Sequence, residues 1–198
     1  FARAAHESLD LAETSYIVAN EGRRLIGCDR VSVAIARGRK CHIEAVSGQD
    51  TMENRSNIIT ALGNLATKVV ATGEPLWYEG STEDLPPQIE DAIEHYADES
   101  YAKAITVLPL RRPAAVDAGH QASTGQVDRD TDNLGEVIGA LIVEQIDAPQ
   151  SRDSLQPKVD LVKQHSARAL SNSLTHNNLF LMPVWRTLGK AQLLVKAK

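Results

Sequence analysis

Ring-bearing side chains are scarce in this chain: two Phe, two Trp and four Tyr among 198 residues. A core with so few rings must be assembled from Val, Ile, Leu and Ala, and a hydrophobic content of 42% allows it. Cysteine is scarcer still. Cys28 and Cys41 are too few for the disulfide framework of a small secreted domain. They point to a reducing compartment, so a cytoplasmic location is the expectation. No run of Lys and Arg reaches five residues, and the formal net charge is −5. The densest basic stretch, Arg37 to Lys40, surrounds Gly38 and reads as a turn, which argues against a nucleic-acid partner. No apolar run approaches the ~18 residues of a membrane span, so no membrane contact is expected of this segment. The chain opens Phe1-Ala2-Arg3, with no initiator Met and no signal-peptide pattern, and reads as a segment of a longer protein.

What is present is clear periodicity. Leu9, Ala12, Tyr16, Ala19 and Ile26 recur at helical spacing and predict a helix from about Ala4 to Ile26, stopped by Gly27. Val31 to Arg37 and Cys41 to Ser47 alternate around a Gly-containing turn and predict a β-hairpin. Asn57 to Ala71 predicts a helix, capped by Ser56 or Asn57 and ended by Gly73. Pro75 to Tyr78 predicts a short strand. Pro86 and Pro87 open a helix that buries Ile89, Ala92, Ile93 and Tyr96. Ala104 to Leu110 predicts a strand, and its Pro109 places it at a strand end or sheet edge. Gly135 to Glu144 is nearly continuously apolar and predicts a central strand. Between those two strands, 113–133 is polar and reads as a hairpin insertion. A last helix is predicted from Ser154 to about Phe180, with Pro157 in its first turn and Pro183 as its stop. Residues 183–198 read as a tail or linker to a downstream module.

This order resembles a GAF domain. Five local patterns carry the resemblance: Gly27 to Val33, Glu44 to Gly48, Val69 to Trp77, Ala104 to Leu110, and Gly135 to Val143. It covers roughly residues 5–175, within a domain of 1–182. The resemblance implies an α+β fold, with a central, mostly antiparallel sheet and the N- and C-terminal helices packed on one face. It also implies a small-molecule pocket on the other face, near 77–104. Trp77, Tyr78, His95, Tyr96 and Tyr101 would supply stacking and hydrogen bonds there. The alternative for these aromatics is that they close a core poor in rings. The segment Leu174 to Lys198 is also similar to the stretch on the C-terminal side of GAF modules in some HlyD-type membrane-fusion (secretion adaptor) proteins. That context would make the chain the cytoplasmic part of a membrane-anchored protein.

Other chemistry finds little footing. Cys41-His42 resembles a bilin-attachment dipeptide, but adjacent strand residues point to opposite faces, and 85–103, where the family attaches bilins, contains no Cys. The favoured reading is a buried Cys beside an exposed His. The spacing of Cys28 and Cys41 matches no C-x-x-C motif, so a redox pair of the methionine sulfoxide reductase type is the minor alternative. The cyclic-nucleotide signature of the family is missing its Asn-Lys pair and its central Phe. His6, His42, His95, His120, His165 and His176 are scattered and form no ligand pair, so no metal is expected. Asp128 to Asp132 begins like a calcium loop but lacks the glycine at position six and the Glu at twelve. The sequence names no cofactor and no catalytic residue. The expectation is a non-catalytic regulatory module that senses a small molecule, dimerises, or both. Tyr16 with Ile17, and Leu161 with Val162, give the terminal helices second apolar faces for a parallel homodimer.

Overall fold

The computed structural model describes residues 1–49, 56–83, 85–113, 135–147 and 149–195, with side chains in the last stretch as far as Asn177. Alternation decides the sheet. In β1 (Arg30–Arg37), Val31, Val33 and Ile35 point one way and Arg30, Ser32 and Ala34 the other. The remaining strands are β2 (Lys40–Val46), β3 (Leu76–Tyr78), β4 (Ala104–Arg111) and β5 (Val137–Gln145). They form one antiparallel sheet in the order β2-β1-β5-β4-β3. The strand expected to be central, β5, is central, between β1 and β4. At Pro109 the short β3 has already ended, so β4 is an edge there and the missing N–H costs nothing.

Helices cover both faces. The first has α2 (Leu11–Ile26) and α5 (Arg152–Val195) packed over Val33, Ile35, Leu108, Leu141 and Val143. The second has α3 (Asn57–Thr72) and α4 (Pro87–Ser100) over Ala34, Ile43, Val107, Ala140 and Ile142. The fold is α+β, with the terminal helices together on one face. In β2 the register shifts so that Val33 faces Ala45 and Ala34 faces Ile43, leaving Glu44 as an extra residue. That bulge turns both Ile43 and Val46 towards α3.

Two of the expected helices differ in their bounds. The N-terminal segment is split into a single turn, α1 (Ala2–Ala5), and α2. Asp10 breaks it: its side chain accepts from the Glu13 N–H at 2.9 Å and caps α2. The expected stripe is correspondingly displaced. Leu9 and Tyr16 are 48% and 42% exposed, while Leu11, Thr14, Ser15, Val18 and Gly22 are buried. Small and polar residues let α2 and α5 approach closely, and the Thr14 and Ser173 hydroxyls hydrogen-bond at 2.9 Å between them. At the other end, α5 begins at Arg152, so Pro157 lies in its second turn. The helical backbone also continues through Pro183 to Val195. Proline forfeits one hydrogen bond and bends a helix without having to end it, so 183–195 extends α5. The expected insertion and the calcium-like Asp128 to Asp132 stretch fall almost wholly within 114–134, outside the described residues; β4 and β5, which flank it, do pair antiparallel. Among the described residues no helix is long and apolar enough to cross a membrane.

Candidate functional site

On the α3/α4 side, strand parity exposes a polar pair in an apolar layer. Arg30 opens β1 and Glu144 nearly closes β5, and antiparallel register makes them direct cross-strand partners. The guanidinium grips the carboxylate with two bonds, Nε to Oε2 and Nη2 to Oε1, each 2.7 Å. Tyr96, on the buried face of α4, donates its hydroxyl to Glu144 Oε1 at 2.7 Å and lies 3.5 Å from Arg30 Nη2. The Glu144 side chain is fully buried and that of Arg30 largely so. An isolated buried carboxylate would be costly; three hydrogen bonds and a facing cation offset that cost. The bonded carboxylate raises the Arg30 pKa, so the guanidinium stays charged. Burial, with the Glu144 charge second, pushes the Tyr96 phenol up, so its proton stays in place.

Arg30 and Tyr96 line a cleft of about 310 Å³, which also receives Ser32 from β1, Val46 and Gln49 from the end of β2, and Ser56, Ile58, Ile59 and Leu62 from the start of α3. Its far wall is apolar and its floor is polar. The Ser32 hydroxyl is buried without a hydrogen-bond partner.

Of the five aromatic-region residues expected to form a site, only Tyr96 reaches this cleft. Trp77 and Tyr78 are neighbours on a strand and face opposite ways. Tyr78 packs with the α3/α4 core. Trp77 packs on the α2/α5 side, with the Arg152 guanidinium 4.7 Å above its ring. His95 is exposed on α4 and lines a separate groove with Asn64, Lys68 and Asp91. Tyr101 is 81% exposed and ends α4 in the left-handed conformation at φ 57°. The five do not form one pocket. The residues missed were Arg30, Ser32 and Glu144. Glu144 carried a readable signal, a lone carboxylate ending an otherwise apolar central strand, which requires a buried partner.

The cysteines sit as alternation requires: Cys41 is buried and His42 exposed. Both thiols are free. Burial pushes Cys28 up to about 12 and also raises Cys41. Both shifts run opposite to the one that generates a reactive thiolate. Among the described residues no group of His, Cys, Asp and Glu could hold a metal.

These shifts give a pH prediction. The unfolded chain releases the Cys28 proton near 9 and the Tyr96 proton near 10, while the folded protein holds both beyond those values. Above pH 9 the folded state therefore binds more protons than the unfolded one, and stability falls by up to about 1.4 kcal/mol per pH unit for each group. Their contribution is complete below pH 9 and is lost as pH rises. Urea midpoints should be flat from pH 7 to 8.5 and then decline, and Tyr96→Phe should flatten the decline above pH 10. A wild-type midpoint unchanged at pH 11 would refute this.

No protein-family model matches the sequence, and no curated protein matches it either. Solved structures do. A methyl-accepting chemotaxis protein fragment, residues 122 to 287, is similar at a TM-score of 0.58 and 15% identity, over 90% of this chain and 97% of that one. The GAF domain of an Acinetobacter phosphoenolpyruvate-protein phosphotransferase is similar at 0.56 and 15% identity, over 89% and 91%. The GAF domain of the cyanobacteriochrome TePixJ is similar at 0.52 and 15% identity, over 89% and 95%. The fold of this chain is that of GAF domains.

Proposed function

We propose that this chain is a non-catalytic regulatory module that senses a small molecule in the cleft between β1 and the start of α3. The observation that carries this is the cleft itself, with its polar floor and apolar wall. Arg30, Glu144 and Tyr96 are committed to one another, which suits a rigid recognition floor better than proton or group transfer. The raised thiols weigh against the redox alternative. The three neighbours include a chemotaxis protein and a cyanobacteriochrome, and the reading places this chain in the same kind of role. The expected HlyD-type context rests on the segment from Leu174 alone, and none of these neighbours is such a protein.

Native mass spectrometry beside denaturing mass spectrometry of one sample tests the sensing. A mass excess that disappears on denaturation, and is absent from Leu62→Trp, supports it. A mass excess indifferent to Leu62→Trp rejects the cleft.

A parallel homodimer through the terminal helices belongs to the same proposal. Tyr16 and Leu161 are exposed on the outer sides of α2 and α5. At 1.5 Å per residue α5 spans roughly 65 Å, whereas Leu174 is the last residue along it packed on the core among the described side chains. Light scattering at tens of micromolar should give twice the 21.5 kDa chain mass. Tyr16→Glu with Leu161→Glu should return the monomer. A wild-type monomer would end the dimer reading.

A further inference from the structure

We infer that the cleft takes the carboxylate of a small organic acid, a monoanion with a short apolar body; the inference rests on the sensory reading above. Three sets of donors line the cleft, and none has a protein acceptor among the described residues. The first is the N-terminus of α3, a helix of 16 residues whose first intrahelical bond is from Thr60 N–H to the Ser56 carbonyl. The N–H groups before Thr60 have no partner within the helix, and Ser56 makes no side-chain cap. The second is the Ser32 hydroxyl, wholly buried, lining the cleft and unpartnered. Ser15 and Ser166, the other such hydroxyls among the described residues, lie on α2 and α5 across the sheet. The third is Arg30, which spends Nε and Nη2 on Glu144 and leaves Nη1 without an acceptor among the described residues. Glu144, the one carboxylate beneath the cleft among the described residues, already accepts three bonds. An occupant that brings acceptors would satisfy these donors.

Charge chooses among acceptor-rich groups. Among the described residues the Glu144 carboxylate offsets the Arg30 cation, so their surplus is little more than the helix terminus, equivalent to about half a positive charge. That suits a carboxylate and under-compensates a phosphate dianion. Val46, Ile59 and Leu62 form an apolar wall that suits a short hydrocarbon body. The cleft's volume of about 310 Å³ lies at the small end of ligand pockets, which suits an acid the size of hexanoate or benzoate.

The test is calorimetric titration of the purified chain with sodium propionate, hexanoate and benzoate, beside hexanamide, benzamide and inorganic phosphate, to about 10 mM, a range that reaches millimolar affinity. Hexanoate or benzoate should saturate, and its amide should bind at least about tenfold more weakly. Ser32→Ala should weaken the acid about tenfold, the effect of losing a hydrogen bond to a charged group. That variant removes an unpartnered hydroxyl, so it should fold as well as the parent. Equal binding of acid and amide, tighter binding of phosphate, indifference to Ser32→Ala, or no saturation by any of the acids would each overturn the inference. If a neutral molecule co-purifies and is lost in Leu62→Trp, the sensory reading stands and the carboxylate assignment alone fails.

Discussion

Glu144→Ala should destabilise the protein by about 3–5 kcal/mol, the usual cost of removing one partner from a buried ion pair. The carboxylate accepts two bonds from Arg30 and one from Tyr96, and its side chain is fully buried. Without it, the largely buried Arg30 cation loses its counter-charge and the Tyr96 hydroxyl loses the acceptor 2.7 Å away. Against a typical total of 5–15 kcal/mol, such a loss can leave the domain partly unfolded at room temperature. Urea unfolding followed by circular dichroism reads it as a lower midpoint. Tyr96→Phe, which removes one donor and leaves the ion pair, should cost only about 1–2 kcal/mol. The double variant Arg30→Met with Glu144→Leu should recover most of the loss, because apolar residues of similar volume replace a buried ion pair at little cost. If Glu144→Ala lies within about 1 kcal/mol of the parent, or if the double variant is less stable than the single, the account of this floor is wrong.

The same three residues explain how far the site was legible. Arg30 and Glu144 stand 114 positions apart, and only the β1–β5 register makes them neighbours. The strands themselves were readable, because β-branched alternation sets the faces, but pairing between strands is not a local property. Scarcity of rings drew attention to Trp77, Tyr78, His95, Tyr96 and Tyr101, and position on an element decided their fates. Period two sent Trp77 and Tyr78 to opposite faces, and helical period put Tyr96 inside and His95 outside. Fold class was legible because long apolar segments such as β5 and α3 depend on local pattern alone. The stripe of α2 was misread because Thr14, Ser15 and Gly22 are buried without being hydrophobic. Their burial comes from close approach to α5, which no periodicity of apolar residues records.

Gly139→Ala should cost about 3 kcal/mol or more, well beyond an ordinary glycine substitution in a strand. Gly135 and Gly139 both sit where other backbone approaches closely. A Cβ on Gly139 would lie 2.1 Å from the Ala34 carbonyl oxygen and 3.1 Å from the Ile35 Cα. A Cβ on Gly135 would lie 2.0 Å from the Arg112 carbonyl oxygen. At Gly139 the obstacle is backbone of β1, and β5 is held on its other side by β4, opposite Leu110. No side-chain rotation relieves the clash; the β1–β5 ladder must open, and with it the pairing that sets Arg30 against Glu144. Gly38→Ala separates this from a general loss of backbone freedom. Gly38 has φ +64° with nothing near its Cβ, so alanine there meets only left-handed strain, about 1–2 kcal/mol. Urea unfolding of both variants should rank Gly139→Ala as the more damaging. The reverse order would mean that β1 yields easily, and the cleft floor would then be a movable surface instead of a rigid one.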